Sequence, residues 1–346
     1  MWLARIAGFA AVCNLGIGYL AYFVPASGAD LWRALVIIGA VSSVAIANII
    51  GVRVTAAVTN ALTVGKLIPL LLLVLIGLFF VDPQRYSFAT PPAFGSFSQA
   101  ALLLVYAYVG FEGAVIPAGE MRDPGRHLPF ALLTGIGVVA LLYVLIQMVC
   151  IGTLPELASS DRPLSDASLK FLGAPGASLI AAGALVSIGG AMNALMFATP
   201  RLLFAMAENR QLPRSFLRTH PRYHTPIVAI LLTALVTLVL TVFSTFISAL
   251  TISAVIRLIA YATTCAALPI LRRNSGVPPP KFLAPAGPIV ALTAVTLSVW
   301  LLANSTWGEA RLVAIASVIG FVLYVPCALR RDVRQQVKPA APTAGL

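Results

Sequence analysis

Three ionisable residues, Lys66, Glu112 and Arg257, lie inside long apolar runs of the sequence. A charge at the centre of a bilayer costs on the order of 3 kcal/mol on insertion scales, so such residues usually face a cavity or a partner. These positions therefore predict a polar site within a membrane. The alternative for each is a structural ion pair or a snorkelling side chain, and it is favoured for Arg257, which has no evident role in such a site.

The segment around Glu112, a lone acid, contains residues that weaken a helix: Gly110, Gly113, Pro117 and Gly119. Glycine costs about 1 kcal/mol and proline about 3 kcal/mol in a helix interior. We predict a broken helix that lines a cavity, because unwound backbone at membrane depth is tolerated there and its N–H and C=O groups can bind charged ends of a ligand. The alternative is a packing helix whose glycines admit a close neighbour, which leaves the glutamate unexplained.

The composition places these residues in a membrane protein. Of 346 residues, 60% are hydrophobic and 10% are charged, whereas about a quarter of a soluble protein is charged. The mean hydropathy is +0.96, and the apolar runs, about 20 residues long, match the hydrocarbon thickness of a bilayer. These features exclude a soluble domain and predict an all-α polytopic membrane protein. A β-barrel would instead show alternating apolar and polar residues.

The net charge of +12 does not indicate a nucleic-acid partner, because the basic residues are scattered along loops. The four cysteines lie far apart in apolar runs, and the three histidines fall in polar loops. Their spacing matches no disulfide framework and no metal-binding motif. We therefore expect no metal and no cofactor.

Ten apolar spans are separated by proline, glycine or charged clusters. In chain order they are Leu3 to Val24, Leu31 to Ile50, Thr55 to Val81, Gln99 to Glu120, Pro129 to Thr153, Ala177 to Ala207, Pro226 to Ser244, Ile247 to Leu271, Pro285 to Ala303 and Arg311 to Leu329. The sixth is longer than the hydrocarbon region, so we expect its end, from Arg201 onward, to extend into water.

The basic residues orient these spans. With Met1 in the cytoplasm, the inner ends and loops carry sixteen lysines and arginines and the outer ones carry five. Both termini are therefore predicted to be cytoplasmic, in a multi-pass protein of the cell membrane. Met1 to Val24 could be taken for a secretory signal, but it has no clear small-residue cleavage site and leads into further spans, so we treat it as a retained helix.

Four stretches of the sequence resemble amino-acid permeases of the amino acid, polyamine and organocation (APC) transporter superfamily. They are NALTVGKLIPLLLLVLIGLFF (Asn60 to Phe80), YAYVGFEGAVIPAGEMRDPGRHLPFAL (Tyr106 to Leu132), ATPRLLFAMAENRQLPRSFLRTHPRYHTPIVAI (Ala198 to Ile230) and AVIRLIAYATTCAALPILRR (Ala254 to Arg273). They are similar to the family's fifth helix, its broken sixth helix with the seventh, its loop between helices eight and nine, and its tenth helix. The resemblance covers essentially the whole chain.

The resemblance implies an inverted-repeat (LeuT-like) transporter fold of two five-helix repeats and two peripheral helices. The first span here corresponds to family helix three, so we expect an N-terminally truncated form with about ten transmembrane helices. The single integral membrane domain, 1–346, then divides into the remainder of the first repeat (1–81), the second repeat (99–271), two peripheral helices (285–329) and a cytoplasmic tail (330–346).

The resemblance also implies a substrate site, whose residues would be Tyr106, Gly110, Phe111, Glu112, Gly113, Ser187 and Asn193. The backbone from Gly110 to Gly113 would meet the substrate's amino end, Tyr106 would be an aromatic gate, and Phe111 would wall the pocket. Proton coupling would involve Glu112 and Lys66, whose buried amine would replace a coupling cation. Ser187 and Asn193 would bind substrate or, alternatively, only bridge helices.

The function implied is secondary active transport of amino acids, coupled to protons, by alternating access at the broken helix around Gly110. The partners are an amino-acid substrate, protons and the lipid bilayer, with no nucleic acid; the oligomeric state and the particular amino acid are open. An intramembrane enzyme would need paired catalytic groups, and a channel would need polar rings, neither of which is visible. The remaining alternative is a non-transporting truncated remnant, which would insert but not transport alone.

Overall fold

Long apolar helices account for most of the chain. The computed structural model describes residues 1–28, 30–51, 56–86, 93–112, 123–273 and 282–304, with Arg311, Ala314, Val318 and Phe321. Within these ranges, regular structure is α-helix or short 3-10 turn. The predicted class, an all-α polytopic membrane protein, is confirmed. The LeuT-like repeats, their boundaries and the number of spans stay predictions.

Nine α-helices lie in the described part of the chain. They are α1 (Trp2–Phe23), α2 (Asp30–Ile50), α3 (Ala56–Gly77), α4 (Phe94–Ala107), α5 (Pro124–Thr153), α6 (Pro163–Glu208), α7 (Ile227–Phe243), α8 (Phe246–Arg273) and α9 (Gly287–Ala303). Among them α1, α2, α5, α6 and α8 are long and apolar enough to cross a membrane, and the remaining helices provide shorter apolar segments.

Three helices differ from the predicted spans by five or more residues: α4, α6 and α5, which begins at Pro124 and not at Pro129. The fourth span was expected to reach Glu120, but α4 ends at Ala107 and positions 113–122 lie outside the described residues. The sixth span was expected to begin at Ala177, but α6 begins at Pro163. The tenth span and the tail after it lie outside the described residues, apart from the four helical positions between 311 and 321.

Local contacts explain the early start of α6. Asp166, in its first turn, accepts hydrogen bonds from Ser160 Oγ at 2.7 Å and from Arg162 Nε at 3.1 Å. A carboxylate at this position interacts favourably with the helix N-terminus, and Pro163 suits the first helical turn. Gly173, with φ 66° and ψ −167°, then interrupts the helix in a conformation that favours glycine. Residues 174–208 continue beyond it as one long helix.

Helix α1 lies at the centre of the assembly and packs against α6, α7 and α8. Its buried residues include Ala4, Ala7, Gly8 and Ala11. Small side chains let helix backbones approach closely, and α8 therefore reaches the backbone of α1: the Ser253 hydroxyl donates to the Ala4 carbonyl oxygen at 2.7 Å. This contact fixes the height of α8 against α1.

Three apolar clusters hold the other helices. The first joins α1, α2 and α6 and includes Phe9, Ile37 and Met196. The second joins α3, α5 and α6 and includes Leu73, Val149 and Ile180. The third joins α4, α8 and α9 and includes Leu102, Leu258 and Leu301. Since the third cluster fixes α4 on α8, it also determines where the chain leaving α4 meets α8.

The C-terminal end of α7 is capped by Arg33, a residue of the first turn of α2. Its Nη2 donates to the Ser244 carbonyl oxygen at 3.0 Å and to Asn14 Oδ1 at 2.7 Å. Nη1 donates to the Val242 carbonyl oxygen at 3.3 Å. A cation at a helix C-terminus satisfies free carbonyl groups and interacts favourably with the helix dipole, so Arg33 joins the start of α2 and the end of α7 to the middle of α1.

Candidate functional site

Glu112 and Arg257 form an ion pair between the segment that follows α4 and the middle of α8. The Arg257 Nη1 donates to Glu112 Oε1. The Arg257 side chain is 2% exposed and that of Glu112 is 21% exposed. A buried charge without a counter-charge is strongly destabilising, so each residue accounts for the presence of the other. The expectation that Glu112 is a lone acid is therefore wrong, and the ion pair considered as the alternative is present.

The second carboxylate oxygen of Glu112 is also occupied. Oε2 accepts the Gly110 backbone N–H at 2.9 Å and the Tyr261 hydroxyl at 3.3 Å. The Phe111 ring lies against the Tyr261 ring, with centroids 5.7 Å apart and an interplanar angle of 41°. Arg257 and Tyr261 are four residues apart on α8 and so share a face. Residues 110–112 are thus held on α8 by both polar and aromatic contacts.

The same face of α8 reaches α1 through Ser253. Arg257 Nε donates to Ser253 Oγ at 3.4 Å, and Ser253 in turn donates to the Ala4 carbonyl oxygen. Tyr106, near the end of α4, donates its hydroxyl to the Gly8 carbonyl oxygen at 2.9 Å. The predicted aromatic gate therefore ties α4 to α1 beside the ion pair. These contacts connect α1, α4 and α8 at one place.

The backbone of the predicted break is only partly described. After α4 ends at Ala107, the chain turns, and Gly110 has φ 117°, a region that favours glycine. Gly113 lies outside the described residues, so the broken helix and the roles of Gly110 and Gly113 toward a substrate stay predictions. Phe111 is 39% exposed.

Lys66 does not join this group. It lies in an exposed stretch of α3, residues 64–68, where Leu67 and Ile68 are 36% and 53% exposed. The prediction of a buried amine is wrong for the described chain, because α3 packs on α5 and α6 through later residues such as the buried Leu73. No acid among the described residues pairs with Lys66. Its role in proton coupling stays a prediction.

The two polar residues of α6 are separate from the ion pair. Asn193 Oδ1 accepts a hydrogen bond at 3.2 Å from Asn48 Nδ2 of α2, which is 6% exposed. This contact is the helix bridge that was the alternative for Asn193. Ser187 is partly buried in the same helix. Within the described ranges, neither Ser187 nor Asn193 hydrogen-bonds to Glu112 or Arg257.

In chemical terms the group offers one carboxylate, one guanidinium and phenol hydroxyls close to a chain turn. Such groups bind charged ligands and exchange protons. The described ranges contain no cluster of three or more His, Cys, Asp or Glu side chains that could hold a metal ion.

Comparison with known proteins identifies relatives of the chain. A family model described as amino acid permease matches residues 1–326. The methylthioribose transporter of Bacillus subtilis (strain 168) is 27% identical over 264 residues, which cover 74% of this chain and 57% of that protein. From the same organism, the serine/threonine exchanger SteT is 28% identical over 299 residues (85% and 68%), and the branched-chain amino acid permease BcaP is 25% identical over 281 residues (80% and 60%).

These relatives are transporters and not enzymes. The chain spans less than two thirds of the length of the methylthioribose transporter and of the branched-chain permease.

Proposed function

Because this chain belongs to the amino acid permease family, we propose that it takes part in secondary active transport of amino acids across the cell membrane. The membership and the apolar helices support a multi-pass membrane protein. The cytoplasmic position of both termini is part of the proposal and rests on the asymmetry of basic residues.

The observation that carries the proposal is the ion pair between Glu112 and Arg257, with Tyr261 as a third member. These contacts attach residues 110–112 to α8, and release of the segment would require water or a substrate group to take the place of Glu112 at the buried Arg257 guanidinium. A segment held in this way has two available arrangements, attached and released. Alternating access requires such a two-state element near the substrate.

Charge balance favours substrates with uncharged side chains. Glu112 and Arg257 compensate each other, so the group leaves no free charge for an ionised substrate side chain. Glu112 also takes the Gly110 N–H, which leaves backbone carbonyl oxygens as the groups that would accept a substrate ammonium. The names of two relatives, a serine/threonine exchanger and a branched-chain amino acid permease, agree with this substrate class.

Proton coupling is proposed at the same carboxylate. When Glu112 takes up a proton, its attraction to the Arg257 guanidinium is lost, and residues 110–112 are free to leave α8. Proton uptake would thereby change the arrangement of the segment. Lys66, which has no acid partner among the described residues, is the second proposed coupling residue.

The test of transport uses the 346-residue chain, purified and reconstituted in liposomes. We expect saturable uptake of labelled serine or leucine that unlabelled neutral amino acids inhibit and that arginine and aspartate do not. Uptake of methylthioribose alone would contradict the substrate class. An absence of any saturable uptake would contradict transport by this chain and favour the alternative, a non-transporting remnant.

Two variants test the coupling, each with a matched control. Glu112→Gln removes the titrating carboxylate and should abolish the pH dependence of uptake, whereas Glu208→Gln, at the exposed last residue of α6, should leave it unchanged. Lys66→Met should remove proton-driven accumulation, and Lys170→Met, another exposed lysine, should retain it. Unchanged pH dependence in Glu112→Gln would leave the carboxylate with a packing role only.

The orientation is tested with single cysteines at Ser160 and Arg218 in a cysteine-free background. An impermeant thiol reagent added outside the cell should label position 160 and spare position 218. The reverse pattern would overturn the proposed topology.

A further inference from the structure

The connection between α6 and α7 carries an ordered, strongly basic surface. We call residues 208–224 the arginine loop. Its sequence contains Arg210, Arg214, Arg218 and Arg222, and Glu208 is its one acid. The four arginines recur at every fourth position, and all four are exposed. No carboxylate in the described ranges pairs with any of them. The four guanidinium groups, of which that of Arg222 lies 5.5 Å from the Tyr223 ring centroid, are therefore not neutralised by a carboxylate of the described chain and can bind an external anion.

Hydrogen bonds within the arginine loop hold its backbone in one conformation. The His220 N–H donates to the Thr225 carbonyl oxygen at 2.8 Å, and His220 Nδ1 accepts the N–H groups of Arg222 at 3.2 Å and Tyr223 at 3.3 Å. The His220 ring stacks on the Tyr223 ring, with centroids 4.8 Å apart. The arginines are thus presented by a folded loop and need little ordering when they bind.

The loop lies where helices leave the membrane. Thr225 Oγ1 donates to the carbonyl oxygen of Ile49 at 2.7 Å, one residue before the end of α2. Helix α7 begins at Ile227, immediately after the loop. The ends of two apolar helices therefore set the height of the loop, which places it at the level of lipid headgroups.

One side of the loop is attached to the helices. The 3-10 turn Arg214–Leu217 packs against α6 and α7, and Phe216 and Leu217 in it are partly buried. Arg214, the first residue of this turn, is exposed, as are Arg210 before the turn and Arg218 after it. The apolar residues thus face the protein, and the cations face outward along the membrane surface.

We propose that the arginine loop binds the headgroups of anionic phospholipids. A guanidinium forms two parallel hydrogen bonds with a phosphate, which suits it to this ligand better than a point charge. The bilayer is already a neighbour of the loop, because both ends of the loop continue into apolar helices. Charge complementarity and position together favour a lipid over a soluble anionic partner.

The test measures lipid retained by the purified full chain with native mass spectrometry, in micelles to which phosphatidylglycerol or phosphatidylcholine is added. We expect bound phosphatidylglycerol in preference to phosphatidylcholine. The variant Arg214→Gln/Arg218→Gln should bind phosphatidylglycerol about 30-fold more weakly, as expected for two basic residues at a membrane surface. The control variant Arg126→Gln/Arg273→Gln removes two exposed arginines elsewhere and should bind as the unchanged chain does.

Two further arms identify the ligand and its recognition. Inorganic phosphate at equal concentration should not displace the lipid, because the acyl chains of the lipid also hold it in the micelle around the apolar helices. Arg214→Lys/Arg218→Lys should fold and retain part of the affinity, since the charge remains and the paired hydrogen bonds are lost. Equal binding of both lipids, equal loss in the control variant, displacement by phosphate, or capture of a soluble acidic protein instead of lipid would each overturn the proposal.

Discussion

Removing Glu112 is expected to destabilise the protein more than removing Arg257, although the two form one ion pair. Glu112→Met leaves a guanidinium that is 2% exposed and has only neutral partners, the Ser253 hydroxyl 3.4 Å away and the Tyr261 hydroxyl. Breaking a buried pair in this way costs about 3–5 kcal/mol. Arg257→Met leaves a carboxylate that is 21% exposed and keeps the Gly110 N–H and the Tyr261 hydroxyl, so its cost is nearer 1–3 kcal/mol, as for one lost hydrogen-bond partner.

The double variant Glu112→Met/Arg257→Met is the decisive member of the series. It leaves no charge behind, and replacing a whole buried pair by apolar residues is often close to neutral. We therefore expect it to be more stable than Glu112→Met alone. The free energy of unfolding is measured in detergent micelles by denaturant titration, and the four proteins give the coupling energy of the pair.

The matched control is the ion pair of Arg162 and Asp166, whose side chains are 34% and 29% exposed. Its double-mutant cycle should give a coupling energy below about 1 kcal/mol, as for other exposed pairs. The reasoning would be refuted if Arg257→Met costs as much as Glu112→Met, or if the double variant is the least stable of the series.

Two other contacts yield stability predictions that the same titration checks. Alanine at Gly77 would overlap the Val149 side chain, so Gly77→Ala should lower the free energy of unfolding by about 1–3 kcal/mol through overpacking. The control is Gly39→Ala, whose added methyl group would have no atom within 4 Å and should raise the free energy of unfolding by up to about 1 kcal/mol. Equal effects of the two substitutions would contradict this reasoning. Arg33→Gln removes the charged donor to the Ser244 carbonyl oxygen and should lower the free energy of unfolding by about 1–2 kcal/mol. A decrease too small to measure would mean that α7 does not need this cap.

Much of the fold could be predicted because the hydrocarbon thickness sets the length of an apolar helix. The predicted spans Leu3 to Val24 and Ile247 to Leu271 lie within two residues of α1 and α8 at both ends. The start of α6 was missed because it depends on side-chain contacts of Asp166 and on a kink at Gly173. Hydropathy does not report either feature.

The candidate site could be predicted only in part. Glu112 and Arg257 were both singled out as charges in apolar runs, but their contact joins positions 145 residues apart. The sequence did contain a signal for this ion pair, since Glu112 and Arg257 have opposite charges and neither has an oppositely charged residue next to it in its apolar run. The burial of Lys66 was mispredicted because apolar neighbours along the chain do not determine which part of a helix other helices cover, and residues 64–68 of α3 are all exposed.

Residues 174–208 of α6 form one uninterrupted rod after the kink at Gly173. At the usual helical rise this rod is roughly 50 Å long, and a tilt of about 10° would swing one end by about 9 Å relative to the other. Its C-terminal end carries the arginine loop, and α6 packs along its length on α1, α2 and α7. Lipids bound to the loop would therefore resist any tilt of the rod, so the lipid composition of the leaflet that contacts the loop would affect the motion of the helices that surround the ion pair.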